Sequence, residues 1–166
     1  MKKIVVLSDS HGSLDRKFYK HLKDTDEIWH AGDIGDYTEV VKLKEFGICR
    51  FVYGNIDNNE IRKEFKEVLF FSCENLNIMM THIGGYPDKY NKSIIGLIKE
   101  RKPDILICGH SHILRVEYDK KNKLLFLNPG ACGDFGIHKV KTLLKFNLKN
   151  KKITDLIVVE IPRNTI

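Results

Sequence analysis

Short apolar runs alternate with amphipathic segments as far as residue 108, a pattern typical of β-strands separated by helices. The apolar runs are short and bounded by polar or turn-forming residues, which predicts buried strands. The longer segments carry apolar residues on one face only, which predicts surface helices. Strands are predicted at residues 4–7, 27–30, 49–53, 68–71, 78–81 and 105–108, and helices at residues 14–22, 37–46 and 91–101.

Local signals support several of these boundaries. Ser13 precedes the first predicted helix and is expected to cap its N-terminus through the side-chain oxygen. Gly47 is expected to end the second helix, and the third ends before Pro103. The sequence Glu-Asn-Leu-Asn at residues 74–77 predicts a hairpin turn. The segment that follows residue 53 is polar and is predicted to be a loop.

From residue 113 onward the pattern is that of strands alone. Predicted strands at residues 115–118 and 124–127 flank a lysine-rich turn, and strands at 142–147 and 153–161 flank another. The chain therefore consists of β-α units followed by a predicted strand meander. This order favours an α/β fold, or α+β in some schemes, with helices outside the sheets. A length of 166 residues suits a single domain spanning residues 1–166.

The composition narrows the class of protein. A hydrophobic content of 42% with 30% charged residues is that of a folded chain, and no apolar stretch is long enough for a membrane span. The lysines near the N-terminus are followed by too few apolar residues for a signal peptide, so we expect a cytoplasmic protein. The four cysteines, none in a C-x-x-C pair, are interpreted as reduced core thiols.

The net charge of +6 comes mainly from residues 91–166, where basic residues outnumber acidic ones. A basic half of this kind could attract a phosphate-bearing partner. Lysine that only keeps the chain soluble explains the same pattern, and we favour that interpretation.

Five of the predicted strands are followed by Asp, Asn or His, usually beside a glycine. In an α/β sheet the carboxyl ends of parallel strands meet at one edge, where ligands bind. One such residue alone would more often be a helix cap or a hydrogen-bonded polar group, but a full set offers oxygen and nitrogen donors without thiolate. Such a set suits Mn²⁺, Fe or Zn²⁺. The candidate ligands are Asp9, His11, Asp33, Asn55, His82, His110 and His112.

The motifs that contain these residues resemble those of a known family. In order, they are Asp-Ser-His at 9–11, Gly-Asp at 32–33, Gly-Asn-x-Asp at 54–57, Thr-His at 81–82 and Gly-His-Ser-His at 109–112. Together they resemble the calcineurin-like metallophosphoesterases. The short chain and the Asn-Pro-Gly-Ala-Cys-Gly sequence at 128–133 are similar to the small YfcE-type phosphodiesterase branch. The resemblance implies a two-sheet β-sandwich flanked by helices on both outer faces.

The resemblance also implies a metal centre and a reaction. It implies two divalent ions, with Mn²⁺ favoured and Zn²⁺, Fe²⁺ or Ni²⁺ as alternatives, and a bridging hydroxide that attacks a phosphodiester. The expected ligands are Asp9, His11 and His112 for one ion, Asn55, His82 and His110 for the other, and Asp33 as the bridge. Asp33, Asn55 and His82 are also expected to take part in catalysis.

One position departs from the wider family pattern. Ile56 stands where many members have a histidine that is thought to protonate the leaving group or stabilise the transition state. Loss of a general acid costs about 10²–10⁴-fold with a poor leaving group, so we expect phosphodiesters or activated esters as substrates. The following Asp57 is expected to orient a ligand or to cap a helix.

Four further polar residues lie near these motifs or among the remaining histidines. His30 is expected either to support a ligand or simply to pack, and His138 either to approach the substrate or to lie on the surface. His21 is expected to face solvent, and Asn128 to hydrogen-bond a ligand histidine.

Two other function classes remain as alternatives to a phosphodiesterase acting on a small phosphate ester. One is a non-catalytic scaffold that uses the same fold for protein interaction. A retromer subunit with this fold looks to be such an interaction module. A scaffold should have lost metal-competent residues, and here every ligand position keeps one. The other is nucleic-acid binding, for which the sequence has charge but no known motif. The oligomeric state is left open.

Overall fold

Ten β-strands form two five-stranded sheets in the computed structural model, which describes residues 1–163. The first sheet contains β1 (Lys2–Leu7), β2 (Glu27–His30), β3 (Ile48–Phe51), β9 (Val140–Lys149) and β10 (Lys152–Pro162), in the order β10-β9-β1-β2-β3. The second contains β4 (Val68–Cys73), β5 (Leu76–Thr81), β6 (Ile105–Ile107), β7 (Leu114–Asp119) and β8 (Leu124–Pro129), in the order β4-β5-β6-β8-β7.

The helices cover the outer faces of both sheets. They are α1 (Tyr19–Leu22), α2 (Tyr37–Lys44), α3 (Asn59–Glu64) and α4 (Lys92–Arg101). Within residues 1–163, none of them has the length and apolar character needed to span a bilayer.

Alternation along β1 shows how the layers are built. Ile4 and Val6 pack into the core between the two sheets, whereas Val5 and Leu7 pack into a second core on the outer face. This is the period of two expected for a strand that is buried on both faces. Helices α1, α2 and α3 cover the outer core of the first sheet, and α4 covers that of the second through residues such as Ile98. The predicted sandwich with helices on both outer faces is confirmed.

The helix predicted at residues 14–22 is wrong in its first half. Arg16–Phe18 form a 3₁₀ turn, and only Tyr19–Leu22 are α-helical. Asp15, not Ser13, supplies the cap, because its Oδ1 accepts a hydrogen bond of 2.9 Å from the Lys17 amide. Ser13 instead donates its hydroxyl to the Ser10 carbonyl, and so stabilises the loop that follows β1.

A helix, α3, occupies part of the segment predicted to be a polar loop. Asn58 caps it by accepting a hydrogen bond of 3.1 Å from the Ile61 amide. Ile61 is its single buried side chain, so the segment has no apolar periodicity that a sequence pattern could reveal. Because Asn58 is the cap, the alternative in which Asp57 caps this helix is excluded.

The predicted meander at the end of the chain is divided between the two sheets. The β7–β8 hairpin joins the second sheet, where β8 lies parallel to β6. The β9–β10 hairpin crosses to the first sheet, where β9 pairs antiparallel with β1. The hairpin predicted around residues 74–77 is confirmed, since β4 and β5 pair antiparallel across it. The sequence pattern identifies these strands but does not indicate which sheet each hairpin joins.

Candidate metal centre

The loops that follow the parallel strands of both sheets meet at one edge of the sandwich. β1 and β2 are parallel neighbours in one sheet, and β5 and β6 are parallel neighbours in the other. Backbone hydrogen bonds connect the loops: the amide of Asp9 donates to Gly32, that of His11 to Asp33, and that of Gly109 to His82, each at 3.0 Å. Residues far apart in the chain are therefore held together at this edge.

Six of the seven candidate ligands form two groups of three. Within each group the nitrogen or oxygen atoms that could bind a metal lie within 4.8 Å of one another. The groups are Asp9, His11 and His112, and Asp33, His82 and His110. Each group combines one carboxylate with two imidazoles, a set of donors that suits a first-row divalent ion.

The two carboxylates lie between the groups. Asp33 Oδ2 is 3.1 Å from His82 Nε2 of its own group and 3.6 Å from His11 Nε2 of the other. Asp9 Oδ1 is 3.1 Å from His112 Nε2 and 3.8 Å from His82 Nε2. Each carboxylate thus faces an imidazole of both groups, so an oxygen of either could contact two neighbouring ions.

Three atoms of this centre are buried without a hydrogen-bond partner among the described residues: Asp9 Oδ1, His11 Nε2 and His82 Nε2. Asp9 is 0% exposed and His82 is 1% exposed. Leaving buried polar atoms unsatisfied costs free energy, and such atoms usually have a partner. These three converge and carry the lone pairs that metals bind, so the residues fit a divalent metal centre.

Hydrogen bonds hold three other polar atoms of the ligands: Asp9 Oδ2, Asp33 Oδ1 and His82 Nδ1. Asp9 Oδ2 accepts hydrogen bonds from the Ser8 hydroxyl at 2.7 Å and from the His110 amide at 3.1 Å. Asp33 Oδ1 accepts one from the Ile56 amide at 3.1 Å. His82 Nδ1 hydrogen-bonds the Ala31 carbonyl at 2.8 Å, which places the proton on Nδ1 and leaves Nε2 as a lone-pair donor.

Most of the candidate ligands have strained backbones. Positive φ values, between 50° and 67°, occur at Asp9, His11, Asp33, His110 and His112. Left-handed backbone costs of order 1–3 kcal/mol at a non-glycine residue and concentrates at functional sites. The hydrogen bonds between the loops maintain this conformation, which turns the side chains toward one point.

Two glycines leave room for the carboxylates. A side chain at Gly54 would collide with the Asp33 carboxylate, and one at Gly109 would collide with the Ser8 hydroxyl and approach Asp9. Only glycine allows the backbone to come this close to the buried acids.

The charges at the centre stabilise one another. Burial opposes ionisation of Asp9, but the neighbouring imidazoles of His11 and His112 outweigh it and hold the pKa of that carboxyl well below its usual range. The Asp9 carboxylate raises the pKa of His11. Burial lowers the pKa of His82, but the carboxylates of Asp33 and Asp9 outweigh burial and raise it. The carboxylate of Asp9 therefore remains charged, and the imidazoles of His11 and His82 are more readily protonated than usual.

Asn55, the seventh candidate, lies in a loop clamped beside the second group. It borders a cavity of about 180 Å³ that His82 also lines. Arg62 donates to the carbonyls of Gly54 at 3.0 Å, Asn55 at 2.9 Å and Asp57 at 2.7 Å, which fixes the loop from outside.

Asp57 supports the same loop through the backbone. Its carboxylate accepts hydrogen bonds from the amides of Gly35 at 2.7 Å and Gly54 at 2.8 Å. It therefore connects the Asp33 loop to the Asn55 loop rather than entering the centre.

His30 hydrogen-bonds both of the loops that carry Asp9 and Asp33. It is fully buried, and its Nδ1 accepts a hydrogen bond from the Gly32 amide at 3.2 Å. Its Nε2 therefore carries the proton and donates to the Ser10 hydroxyl at 2.9 Å. Of the two interpretations left open, the structure favours support of the loops that carry Asp9 and Asp33.

The other three polar residues lie outside the centre. His138 is exposed, and His21 is half-buried rather than solvent-facing as expected. Asn128 Nδ2 donates to the Gly109 carbonyl at 2.9 Å and to the Ser111 hydroxyl at 3.1 Å. It fixes the backbone and the serine of the His110–His112 loop, so the expected bond to a histidine ring is wrong.

Sequence reasoning missed some of the supporting residues. Arg62 lies on α3, which has no sequence signal, and its three bonds to backbone carbonyls depend on a loop shape that no pattern encodes. Ser8 could have been noted, since it is a polar residue at the end of a buried strand directly before Asp9. The four cysteines are free thiols, as predicted, but only Cys73, Cys108 and Cys132 lie in the core, and Cys49 is half-buried.

Comparisons with known proteins find relatives along most of this chain. Residues 1–151 match the model of the calcineurin-like phosphoesterase superfamily domain. A probable metallophosphoesterase of Mycoplasma pneumoniae is 29% identical over 162 residues, which cover 94% of this chain and 96% of that protein.

Solved structures share the fold at low identity. A single-mutant Vps29 from Entamoeba histolytica has a TM-score of 0.76 at 17% identity and covers 98% of this chain and 99% of its own. A structure described as a novel archaeal phosphodiesterase has a TM-score of 0.72 at 22% identity and covers 95% of this chain and 99% of its own. At these identities the likeness concerns the fold.

Proposed function

Because the chain belongs to the calcineurin-like phosphoesterase superfamily, we propose that it is a dinuclear metal-dependent phosphodiesterase, a phosphoric ester hydrolase. The observation that carries this proposal is the position of Asp33 Oδ2, 3.1 Å from His82 Nε2 and 3.6 Å from His11 Nε2. A single carboxylate oxygen between imidazoles of two donor groups is an arrangement that suits two neighbouring divalent ions.

The proposed assignment of ligands follows the two groups. One ion would be held by Asp9, His11 and His112 and the other by Asn55, His82 and His110, with Asp33 shared between them. Two divalent ions bound there would lower the pKa of a water molecule and neutralise phosphate oxygens. Mn²⁺ is the proposed ion, with Zn²⁺, Fe²⁺ or Ni²⁺ as alternatives, because oxygen and nitrogen donors accept each of them.

The protein's own residues account for binding and orientation. With neutral imidazoles the two carboxylates give the centre two negative charges, so two divalent ions would leave a positive site that attracts a phosphate ester. Hydrogen bonds to Asp9 Oδ2 and Asp33 Oδ1 keep both carboxylates in place. Ile56 follows Asn55, is 45% exposed and carries no ionisable group, so the leaving group has no acid at this position. This absence favours diesters and activated esters over ordinary monoesters.

The direct test is hydrolysis of bis-p-nitrophenyl phosphate by metal-stripped protein, with Mn²⁺, Zn²⁺, Ni²⁺ and Mg²⁺ added back separately. We expect turnover that requires an added ion and that exceeds the rate on p-nitrophenyl phosphate. Protein that is folded but inactive with every ion would reject the proposal and favour the scaffold alternative.

Metal affinity is expected to increase with pH. The pKa values of His11 and His82 are raised above their ordinary value of about 6.5 in the metal-free protein. Both imidazoles keep a proton to higher pH, and a metal must displace it. The pKa values of Asp9 and Asp33 are lowered, so both carboxylates stay charged across this range.

A rise in pH is expected to lower the stability of the metal-free protein and to increase the stability that bound metal adds. In metal-free protein the paired imidazolium groups contribute stability that is present below about pH 6.5 and lost as pH rises through the raised pKa values. Bound metal adds RT ln(1 + [L]/Kd), about 2.7 kcal/mol at 100 times Kd, and this gain grows with pH. Calorimetric Mn²⁺ titrations and melting curves between pH 6 and 8.5 measure both effects. A metal-induced shift in melting temperature that stays constant across that range would contradict the prediction.

A further inference from the structure

A cavity of about 280 Å³ opens beside the metal centre, between the loops that follow β5 and β6. Ser111, which lies between His110 and His112, forms part of its wall. Gly85, three residues after His82, also lines it. The cavity therefore adjoins the loops that carry three of the candidate ligands.

The wall is aromatic and apolar. Tyr86 is 38% exposed and Ile113 is 50% exposed, and both line the cavity, with Phe126 behind them. Exposed apolar side chains grouped around a functional site indicate a surface that binds something. Ile113 directly follows His112, so this apolar surface begins at the centre itself.

The charged group in the wall is already paired. The Arg115 guanidinium lies 4.7 Å from the centre of the Tyr86 ring. Its Nε is 2.6 Å from the Glu117 carboxylate, so the arginine is already ion-paired. A paired arginine does not call for a second phosphate in this cavity. It fixes the tyrosine ring through a cation–π contact.

The polar groups that remain are few and fixed. Asn128 donates to Ser111 Oγ at 3.1 Å and to the Gly109 carbonyl at 2.9 Å, so the serine is held in position at the cavity edge. An apolar cavity with one or two fixed polar groups is the usual form of a site for a small organic group. Its volume admits a single ring system rather than a long chain.

We infer that this cavity is the specificity site of the enzyme and binds an aromatic ester substituent of the phosphodiester, a phenyl ring or a nucleobase, against Tyr86 and Ile113. The inference rests on the proposed function and adds a substrate class to it. With the phosphate at the metal centre, a water oxygen would bond to phosphorus as the bond to one ester oxygen breaks. That alcohol leaves, and the ring of the other ester group remains in the cavity.

Two diesters with the same leaving group test this assignment: phenyl p-nitrophenyl phosphate and methyl p-nitrophenyl phosphate. Each kcat/KM is divided by the uncatalysed rate of the same ester, which removes their difference in reactivity. We expect the phenyl ester to be favoured by at least about tenfold, because stacking of a ring on an aromatic side chain changes affinity by roughly one to two orders of magnitude.

Variants at Tyr86 assign the preference to the cavity. Tyr86→Ala is expected to reduce the phenyl-to-methyl ratio to near one, and Tyr86→Phe to retain it. Tyr86 lies in a loop and is partly exposed, so its truncation does not open the core. Tyr118→Ala is the matched control, since Tyr118 is 58% exposed on β7 and points to the face opposite Arg115. The control should leave the ratio unchanged.

Calorimetric binding of phenyl phosphate and methyl phosphate provides a readout that does not need turnover. We expect tighter binding of phenyl phosphate to the wild type and to Tyr86→Phe, and loss of that difference in Tyr86→Ala. A phenyl-to-methyl ratio near one in the wild type, or one that survives in Tyr86→Ala, would overturn the inference while diester hydrolysis stands. Failure to hydrolyse either ester with any ion would overturn the proposed function and this inference with it.

Discussion

Replacing Asp33 with asparagine is expected to lower metal-dependent hydrolysis of bis-p-nitrophenyl phosphate by at least about 10³-fold. Asp33 Oδ2 faces an imidazole of both donor groups, and the carboxylate is 2% exposed. An amide keeps the shape but removes the negative charge that would hold two cations close together. Several kcal/mol of transition-state stabilisation depend on that pair, and each 1.36 kcal/mol is a factor of ten in rate.

The same substitution at a solvent-exposed acid is the control. Asp24→Asn alters an exposed carboxylate in the loop before β2 and should leave the rate unchanged. His112→Ala, which removes an imidazole 3.1 Å from Asp9 Oδ1, should also abolish turnover. Metal content measured on each purified variant shows whether the loss of turnover accompanies a loss of bound metal. Asp33→Asn protein that keeps wild-type turnover would disprove the bridging role.

The leaving group is expected to control the rate strongly. Ile56 offers no proton at the position where many family members have a histidine, so the leaving oxygen must depart as an anion. Enzymes with a general acid also hydrolyse alkyl diesters more slowly than p-nitrophenyl diesters. Here we expect that rate difference to be larger by a further factor of about 10²–10⁴. A series of methyl aryl phosphates with leaving groups of graded pKa measures this dependence as the slope of log kcat/KM.

Ile56→His should reduce that slope by supplying a general acid. The side chain at this position is partly exposed, and the Ile56 amide that donates to Asp33 is part of the backbone, so the substitution preserves the bond to the carboxylate. Ile48→His, at an exposed position on β3, adds the same group away from the site and should leave the slope unchanged. A shallow slope in the wild type would show that another group protonates the leaving oxygen.

The sequence alone was enough to predict the layered fold and most of the candidate metal ligands. Strands such as β1 and β2 are visible because their alternating or continuous apolar runs reflect burial, a local and periodic property. Asp9 and His110 could be selected because polar residues directly after buried strands are conspicuous, and parallel strands carry their ends to one edge. These inferences need only the direction and burial of each strand.

Only the tertiary structure decided how these residues meet. The left-handed backbone at Asp9 and Asp33 is imposed by hydrogen bonds between distant loops, against the preference of the residues themselves. The loop whose carbonyls Arg62 binds is tied through the Asp57 carboxylate to the amide of Gly35, in the loop after β2. Pairing of the last two hairpins with opposite sheets, and the cavity beside Tyr86, likewise arise from long-range packing. Such contacts join residues far apart in the chain, so no local pattern records them.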